Sequence, residues 1–153
     1  MKNRTKLLIL LAVAVLALGG WGFDLLWARA FTVEVVSVSP SPGIADGQTP
    51  VTIRVKVTRG DDACAGHILF ATTLNGGSFK AERVSTDAEG VAEFIYYPYL
   101  KSRLNTLTDV NIRIADESNS LFVSVPARAD LLLPMVEAEG GEDDKNTNDS
   151  MFG

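Results

Sequence analysis

The sequence is poor in the residues from which metal and catalytic sites are built. Among 153 residues, Cys64 is the only cysteine and His67 is the only histidine. A single cysteine excludes a disulfide within the chain, although it leaves one between two chains open, and a single histidine excludes zinc sites that need two imidazoles. No third group is indicated that would orient these two residues as a nucleophile and its base. We therefore expect a protein that is not an enzyme and holds no metal or cofactor.

The sequence also lacks an excess of basic residues. Lysine and arginine number 14 against 19 aspartates and glutamates, which gives a net charge of −5. Much of the negative charge falls within residues 137–153, so the remainder of the chain is close to neutral. No basic stripe indicates a nucleic-acid partner. The acidic, glycine-rich tail cannot bury enough apolar surface to offset the entropy of ordering it, and we expect it to be disordered.

Residues 7–27 form an apolar run that follows a basic N-terminus. The run is about as long as the helix of roughly 20 residues that crosses a bilayer. In one interpretation it is an uncleaved anchor in the cytoplasmic membrane, with its N-terminus in the cytoplasm and with Trp21 and Trp27 at the outer membrane interface. Asp24 then lies near that interface, where a carboxylate costs less free energy than at the bilayer centre.

A second interpretation makes residues 1–30 a cleavable signal peptide. The segment Ala28-Arg29-Ala30 has the small-x-small form of a cleavage site, and an apolar stretch of suitable length precedes it. The protein would then be secreted. Both interpretations place the rest of the chain outside the cytoplasm, and the sequence leaves both open.

After residue 30 the helical periodicity is absent and a two-residue alternation replaces it. The clearest case is residues 51–58, where every second residue is valine or isoleucine and the others are polar, as in a half-buried strand. Further alternations predict strands over residues 33–38, 68–72, 79–84, 92–96, 110–114 and 121–125. In the third strand, Ile68, Phe70 and Thr72 share one face. Seven short strands separated by turns predict an all-β protein, a two-sheet antiparallel sandwich.

Three regions follow from these patterns. Residues 1–30 are the anchor or signal peptide, residues 31–126 are the β-sandwich, and residues 127–153 are a C-terminal extension with the acidic tail. The apolar segment 127–136 is too short and too interrupted by proline to cross a membrane. We expect it to pack on the sandwich or on a partner.

Four segments resemble the successive signatures of a known domain. They are Gly-Ile-Ala-Asp-Gly-Gln-Thr-Pro-Val-Thr-Ile (43–53), Gly-His-Ile-Leu-Phe (66–70), Asn-Gly-Gly-Ser-Phe (75–79) and Val-Ser-Thr-Asp-Ala-Glu-Gly-Val-Ala (84–92). In this order they resemble the bacterial immunoglobulin-like domain of the invasin and intimin adhesins. The resemblance implies an immunoglobulin-like sandwich in which these residues serve turns and core. It implies a scaffold, and no ligand-binding position is transferred from it.

An aromatic segment is the strongest candidate for a contact surface. Tyr96-Tyr97-Pro98-Tyr99 leads into residues 98–109, the longest stretch without clear periodicity. Aromatic and arginine side chains are enriched at the energetic centres of protein interfaces. Strand alternation predicts that Tyr96 faces the core and Tyr97 the surface. The sequence therefore predicts partner contacts at Tyr97, Tyr99, Lys101 and Arg103. An open sheet edge is a second candidate, because it can accept a strand from a partner.

The carboxylates in the loops, Asp46, Asp61, Asp62, Asp87 and Glu89, do not follow the spacing of a calcium loop. We interpret them as groups that cap turns and keep the surface soluble. The function that these observations favour is a noncatalytic, membrane-tethered, extracytoplasmic module of a bacterial cell envelope that acts through protein–protein contacts. The alternative is a secreted or surface adhesin domain that binds a host protein or glycan.

Overall fold

The computed structural model describes residues 2–102, 106, 108–121 and 126–138. Within these residues the chain forms one α-helix, Lys2–Ala28 (α1), which is followed after two residues by the first of ten strands. The strands are Phe31–Ser39 (β1), Gly43–Ile44 (β2), Val51–Arg59 (β3), Asp62–Ala63 (β4), Ile68–Thr73 (β5), Ser78–Phe79 (β6), Arg83–Ser85 (β7), Val91–Tyr97 (β8), Asp109–Asp116 (β9) and Arg128–Val136 (β10).

The strands form two sheets. The first sheet has the order β1-β3-β8-β6, with β4 paired to the end of β3, and the second has the order β2-β10-β9-β5-β7. All pairs are antiparallel except β2 with β10. In the register of the first sheet, Val55 lies opposite Val35 on one side and Ala92 on the other, so the apolar positions of three strands share one face.

The seven main strands are distributed between the sheets as in an immunoglobulin domain. Without β2, β4 and β7, the first sheet contains the first, second, fifth and fourth strands in that order, and the second contains the seventh, sixth and third. This is the division into ABED and GFC strands that defines the immunoglobulin sandwich. The predicted all-β class and its immunoglobulin-like arrangement are confirmed.

The core lies between the inner faces of the two sheets. Val51, Ile53, Val55 and Val57 of β3 are fully buried, as their alternation predicts, and Phe94 and Tyr96 of β8 are buried beside them. Val110, Ile112 and Ile114 of β9 face them from the second sheet. The burial of these apolar side chains is the main favourable contribution to folding.

Two strands differ in detail from the prediction. The segment predicted as one strand over residues 79–84 is divided between the sheets, because β6 pairs with β8 whereas β7 pairs with β5. In β5 the inner face is formed by Leu69 and Ala71, and the face shared by Ile68, Phe70 and Thr72 is the outer one. The ring of Phe70 is covered there by the guanidinium of Arg83, 4.6 Å from the ring centre.

The strand β10 lies beyond the predicted end of the sandwich at residue 126. It pairs with β9 from Arg128 to Pro134, and Leu133 and Met135 enter the core. A proline is tolerated at position 134 because its nitrogen faces away from β9 and no bond to β9 is lost. The next amide, that of Met135, points to the β9 side and donates to the carbonyl of Thr108 at 2.7 Å. The predicted strand over residues 121–125 falls mainly on residues outside the described ranges, as do residues 139–153 of the tail.

The turn at residues 86–90 depends on a glycine. Gly90 has a φ of +74°, and a Cβ at this position would lie 2.7 Å from the carbonyl oxygen of Val57 and 2.9 Å from the amide nitrogen of Cys64. Gly60 has a similar φ of +63°, but a Cβ there would have no neighbour within 4 Å. The two positions therefore share the conformational requirement and differ in the space available.

We expect Gly90→Ala to destabilise the sandwich more than Gly60→Ala. The left-handed conformation costs a substituted residue about 1–2 kcal/mol at either position, and overpacking at Gly90 adds about 1–3 kcal/mol. Chemical denaturation of the full chain in detergent measures both free energies of unfolding. Equal losses in the two variants would contradict the close approach of Val57 to Gly90.

Candidate functional site

The sandwich has two ends, and each carries candidate functional residues. At the end next to α1, which we call the proximal end, lie the start of β1, the end of β3 and the segment 117–121 that follows β9. At the opposite, distal end lie the end of β8, the start of β9 and the loops at residues 40–50 and 74–77. Of the predicted contact residues, Tyr97, Tyr99 and Lys101 belong to the distal end.

The loop at residues 40–50 is closed by Asp46. Its carboxylate accepts hydrogen bonds from the amide of Thr49 at 2.7 Å and from the amide of Gln48 at 2.8 Å, and from the hydroxyl of Thr49. These bonds, led by the one from the Thr49 hydroxyl, lower the pKa of Asp46 below its usual value. The carboxylate therefore serves the turn, in agreement with its interpretation as a capping group.

The loop at residues 74–77 is fastened to the strands around it. The side chain of Asn75 donates to the carbonyl of Asp109 at 2.9 Å and accepts from the amide of Asn111 at 2.7 Å. The hydroxyl of Tyr96 donates to the carbonyl of Gly76 at 2.9 Å. Burial raises the pKa of Tyr96 to about 12, so this hydroxyl remains a donor at neutral pH. These bonds give the distal end a fixed backbone.

The four predicted contact residues have different environments. Tyr97 is half-buried at the end of β8, and the amine of Lys101 lies 3.5 Å from the carboxylate of Glu137. Tyr99 is only 9% exposed, and burial raises its pKa. Because β8 ends before Pro98, the alternation stops there and Tyr99 turns towards the core. Its role as a contact residue, like that of Tyr97 and Lys101, stays a prediction. Arg103 lies outside the described residues.

The proximal end fixes α1 to the sandwich through buried polar groups. The carboxylate of Asp24, which is 4% exposed, accepts a hydrogen bond from the amide of Leu121 at 2.9 Å. The side-chain amide of Asn119 is buried and donates to the carbonyl of Ala28, the last residue of the helix, at 3.2 Å. Two parts of the chain that are more than ninety positions apart are joined by these bonds.

The segment that holds the helix is itself anchored in the second sheet. Asp116 is fully buried at the end of β9, accepts from the amide of Ser118 at 2.8 Å and lies 2.7 Å from Nδ1 of His67. The ring of His67 also contacts the ring of Phe31, with 5.2 Å between centres. The single histidine therefore connects β1, β5 and β9.

Aromatic contacts continue this connection to the helix. The rings of Trp27 and Phe31 are 6.1 Å apart, and the guanidinium of Arg59 lies 3.5 Å from the centre of the Trp27 ring. A cation over an indole face contributes about 0.5–2 kcal/mol. Trp27 thus packs partly on the sandwich, while Trp21 is more than half exposed. Their position at a membrane interface stays a prediction.

The environment of Cys64 does not favour a thiolate. Burial raises the pKa of its thiol, and the negative charge of Asp116 raises it further. A reactive cysteine needs the opposite, a lowered pKa. Within residues 2–102, 106, 108–121 and 126–138, no group of three or more His, Cys, Asp and Glu side chains is arranged to hold a metal ion. The absence of catalytic and metal chemistry stays a prediction.

A groove lies between the C-terminal end of α1 and the segment that holds it. We call it the junction groove. Its volume is about 470 Å³, and it is lined by Gly20, Phe23, Asp24, Trp27 and residues 118–121. The sequence analysis did not anticipate this site, because it arises from contacts between distant parts of the chain. The one local signal was an aspartate inside an apolar run.

No family model and no curated protein matches the sequence. Similar solved structures include the D00–D0 domain of intimin, at 15% identity and a TM-score of 0.48, covering 69% of this chain and 48% of that chain. A conjugative transposon lipoprotein from Bacteroides eggerthii matches at 20% identity and a TM-score of 0.46, covering 68% of this chain and 96% of that chain. The chain spans about half the length of the first intimin structures that it matches. At these levels of similarity the matches carry no conclusion about a partner.

We expect Asp24→Ala to loosen the proximal end. A hydrogen bond to a charged group contributes about 1.5–3 kcal/mol, so the amide of Leu121 should exchange with deuterium roughly ten- to a hundredfold faster. Exchange is measured by NMR on the full chain in micelles. Asp61→Ala, which removes an exposed carboxylate from the β3–β4 turn, is the control and should leave this amide unchanged. Equal exchange in the wild type and Asp24→Ala would contradict the contact.

Proposed function

We propose that this chain is a noncatalytic β-sandwich module that α1 tethers to the cytoplasmic membrane of a bacterium, with the sandwich in the cell envelope and its distal end available to a protein partner. In this proposal residues 1–30 are the anchor, residues 31–138 include the sandwich with β10, and the remainder is an acidic extension. The invasin-like motifs favour a bacterial envelope as the setting.

The composition and surface of α1 support the tether. Residues 3–28 form a helix that is long and apolar enough to cross a membrane. No second helix of this kind occurs among the described residues. At 1.5 Å per residue it is about 39 Å long, which exceeds the roughly 30 Å of a bilayer's hydrocarbon core. Its large apolar side chains from Leu7 to Leu18 are all more than half exposed. Surrounding lipid would cover these side chains.

The observation that carries the proposal is the attachment of the last helical turns to the sandwich. Ala28 is buried, its carbonyl accepts from Asn119, and Asp24 accepts from Leu121. Cleavage after Ala30 would remove all three contacts and would expose the polar groups of Asn119. A retained anchor keeps them, and it is therefore favoured over a cleaved signal peptide.

The geometry of the sandwich supports a contact at the distal end. The strand β3 has 9 residues and runs from the distal to the proximal end, which separates the ends by about 30 Å at 3.3 Å per residue. In this arrangement Tyr97 and Lys101 lie at the end of the sandwich away from the membrane, beside the loops that Asn75 and Asp46 hold in place. Fixed loops reduce the entropy that a partner must overcome on binding.

The tether is tested by the mass of the mature chain. We expect the chain expressed in a bacterium to retain Met1 and to stay in membranes after extraction with alkaline carbonate, because α1 remains in the bilayer. The control is Ala30→Leu, which removes the small residue that a signal peptidase would need. A chain that starts at Phe31 in the wild type, but remains full-length in Ala30→Leu, would contradict the tether and favour the secreted alternative.

The distal contact is tested by crosslinking in intact cells. A photoreactive phenylalanine derivative is placed at Tyr97 and, as a matched control, at Glu93, which lies on the same strand and the same face, four positions nearer the membrane. We expect a crosslinked product of defined mass from position 97 and little from position 93. Equal yields at the two positions, or none at either, would contradict a partner at the distal end.

A further inference from the structure

We infer that the junction groove binds a phospholipid of the outer leaflet, whose acyl chain lies along Gly20, Phe23 and Trp27 beneath Leu121. This inference rests on the proposed tether. It assigns a ligand to a site that the tether alone does not require, because a helix can cross a bilayer without any groove for a specific lipid.

The surface that the groove presents is mostly apolar, with Ser118 and Ser120 as polar members of its lining. Its two buried polar side chains face other groups of the protein, since Asp24 accepts from the amide of Leu121 and Asn119 donates to the carbonyl of Ala28. Phe23 is 67% exposed and Leu121 is 85% exposed. An exposed leucine on a loop beside exposed aromatic rings is unfavourable in water. It is favourable against a hydrocarbon chain.

The position of the groove along the proposed membrane span favours lipid as the occupant. The groove follows α1 from Gly20 to Trp27, a rise of about 10 Å at 1.5 Å per residue, and its apolar walls continue directly into the exposed surface of the helix. If the span begins near Leu7, the roughly 20 residues that fill a bilayer end within the groove. The groove therefore opens towards acyl chains at its inner end and towards headgroups at its outer end.

The charge at the outer end fits a phospholipid. The guanidinium of Arg59 lies 3.5 Å from the centre of the Trp27 ring, and Trp27 lines the groove. Arg59 and Arg29 are both exposed at this end. Arginine pairs with phosphate through two parallel hydrogen bonds, so an acyl chain in the groove would place its phosphate near a suitable cation.

Gly20 gives the groove its open inner end and provides a direct test. A Cβ at Gly20 or at Gly22 would have no neighbour within 4 Å, so a larger side chain fits at either position. The two positions differ by about 200° around the helix axis, and only Gly20 lines the groove. Gly20→Leu fills the groove, Gly20→Ala fills it less, and Gly22→Leu adds the same side chain on another face.

The experiment uses Trp27 as the reporter. The chain has two tryptophans, so Trp21→Phe leaves Trp27 as the single tryptophan in every variant, and its emission is excited at a wavelength that tyrosine does not absorb. The full chain is reconstituted in phosphatidylcholine vesicles with or without bromine on the acyl chains, which quenches a tryptophan in contact with them. We expect strong quenching in the Trp21→Phe background and with Gly22→Leu, a partial loss with Gly20→Ala, and loss of most of the quenching with Gly20→Leu.

Equal bromolipid quenching with Gly20→Leu and Gly22→Leu, in a chain that floats with the vesicles, would overturn the inference and leave the tether intact. Stronger quenching of Trp27 by aqueous iodide than by bromolipid would also overturn it, because the groove would then hold water. A chain that does not float with the vesicles would overturn the tether as well. Deuterium exchange at the Leu121 amide shows whether Gly20→Leu leaves the helix attached; if it does not, the comparison of Gly20→Ala with Gly22→Leu decides.

Discussion

A buried carboxylate needs a partner, and the partner of Asp24 is a backbone amide of the sandwich. Leaving such a charge without a hydrogen bond in an apolar setting costs several kcal/mol, so the attachment of α1 to the segment that follows β9 is strongly favoured once the chain has folded. The same segment is held from the other side by Asp116 and His67. The relative orientation of helix and sandwich follows from these few polar contacts, and the junction groove exists because of them.

Much of the fold could be predicted because its determinants are local. The alternation of valine and isoleucine in β3 predicted which face of the strand is buried. The glycine and aspartate of residues 86–90 predicted a turn, and Gly90 adopts the positive φ that this turn requires. Tyr96 was correctly expected in the core because it follows Phe94 by two positions in one strand. In each case the physical requirement acts over a few residues, so the pattern is visible in the sequence.

The rest of the structure depends on contacts that no local pattern reveals. Pro134 suggested an interruption, although its position is compatible with a strand because the missing donor would face away from β9. If the alternation of β8 continued, Tyr99 would face the surface like Tyr97. The strand ends at Tyr97, however, and the ring of Tyr99 turns inward. The bond between Asp24 and Leu121 joins positions that lie far apart in sequence. An isolated aspartate in an apolar run indicated a special role without indicating its partner.

The parallel pairing of β2 with β10 has a mechanical consequence. The chain enters the sandwich from α1 at β1, and β10 ends at the opposite end of the sandwich next to β2, where Met135 pairs with Gly43 and Val136 with Ile44. A pull between α1 and the end of β10 would slide β2 and β10 past each other along their length. Hydrogen bonds loaded in this direction must break together and not one after another, so this pairing resists tension along the axis from the proximal to the distal end.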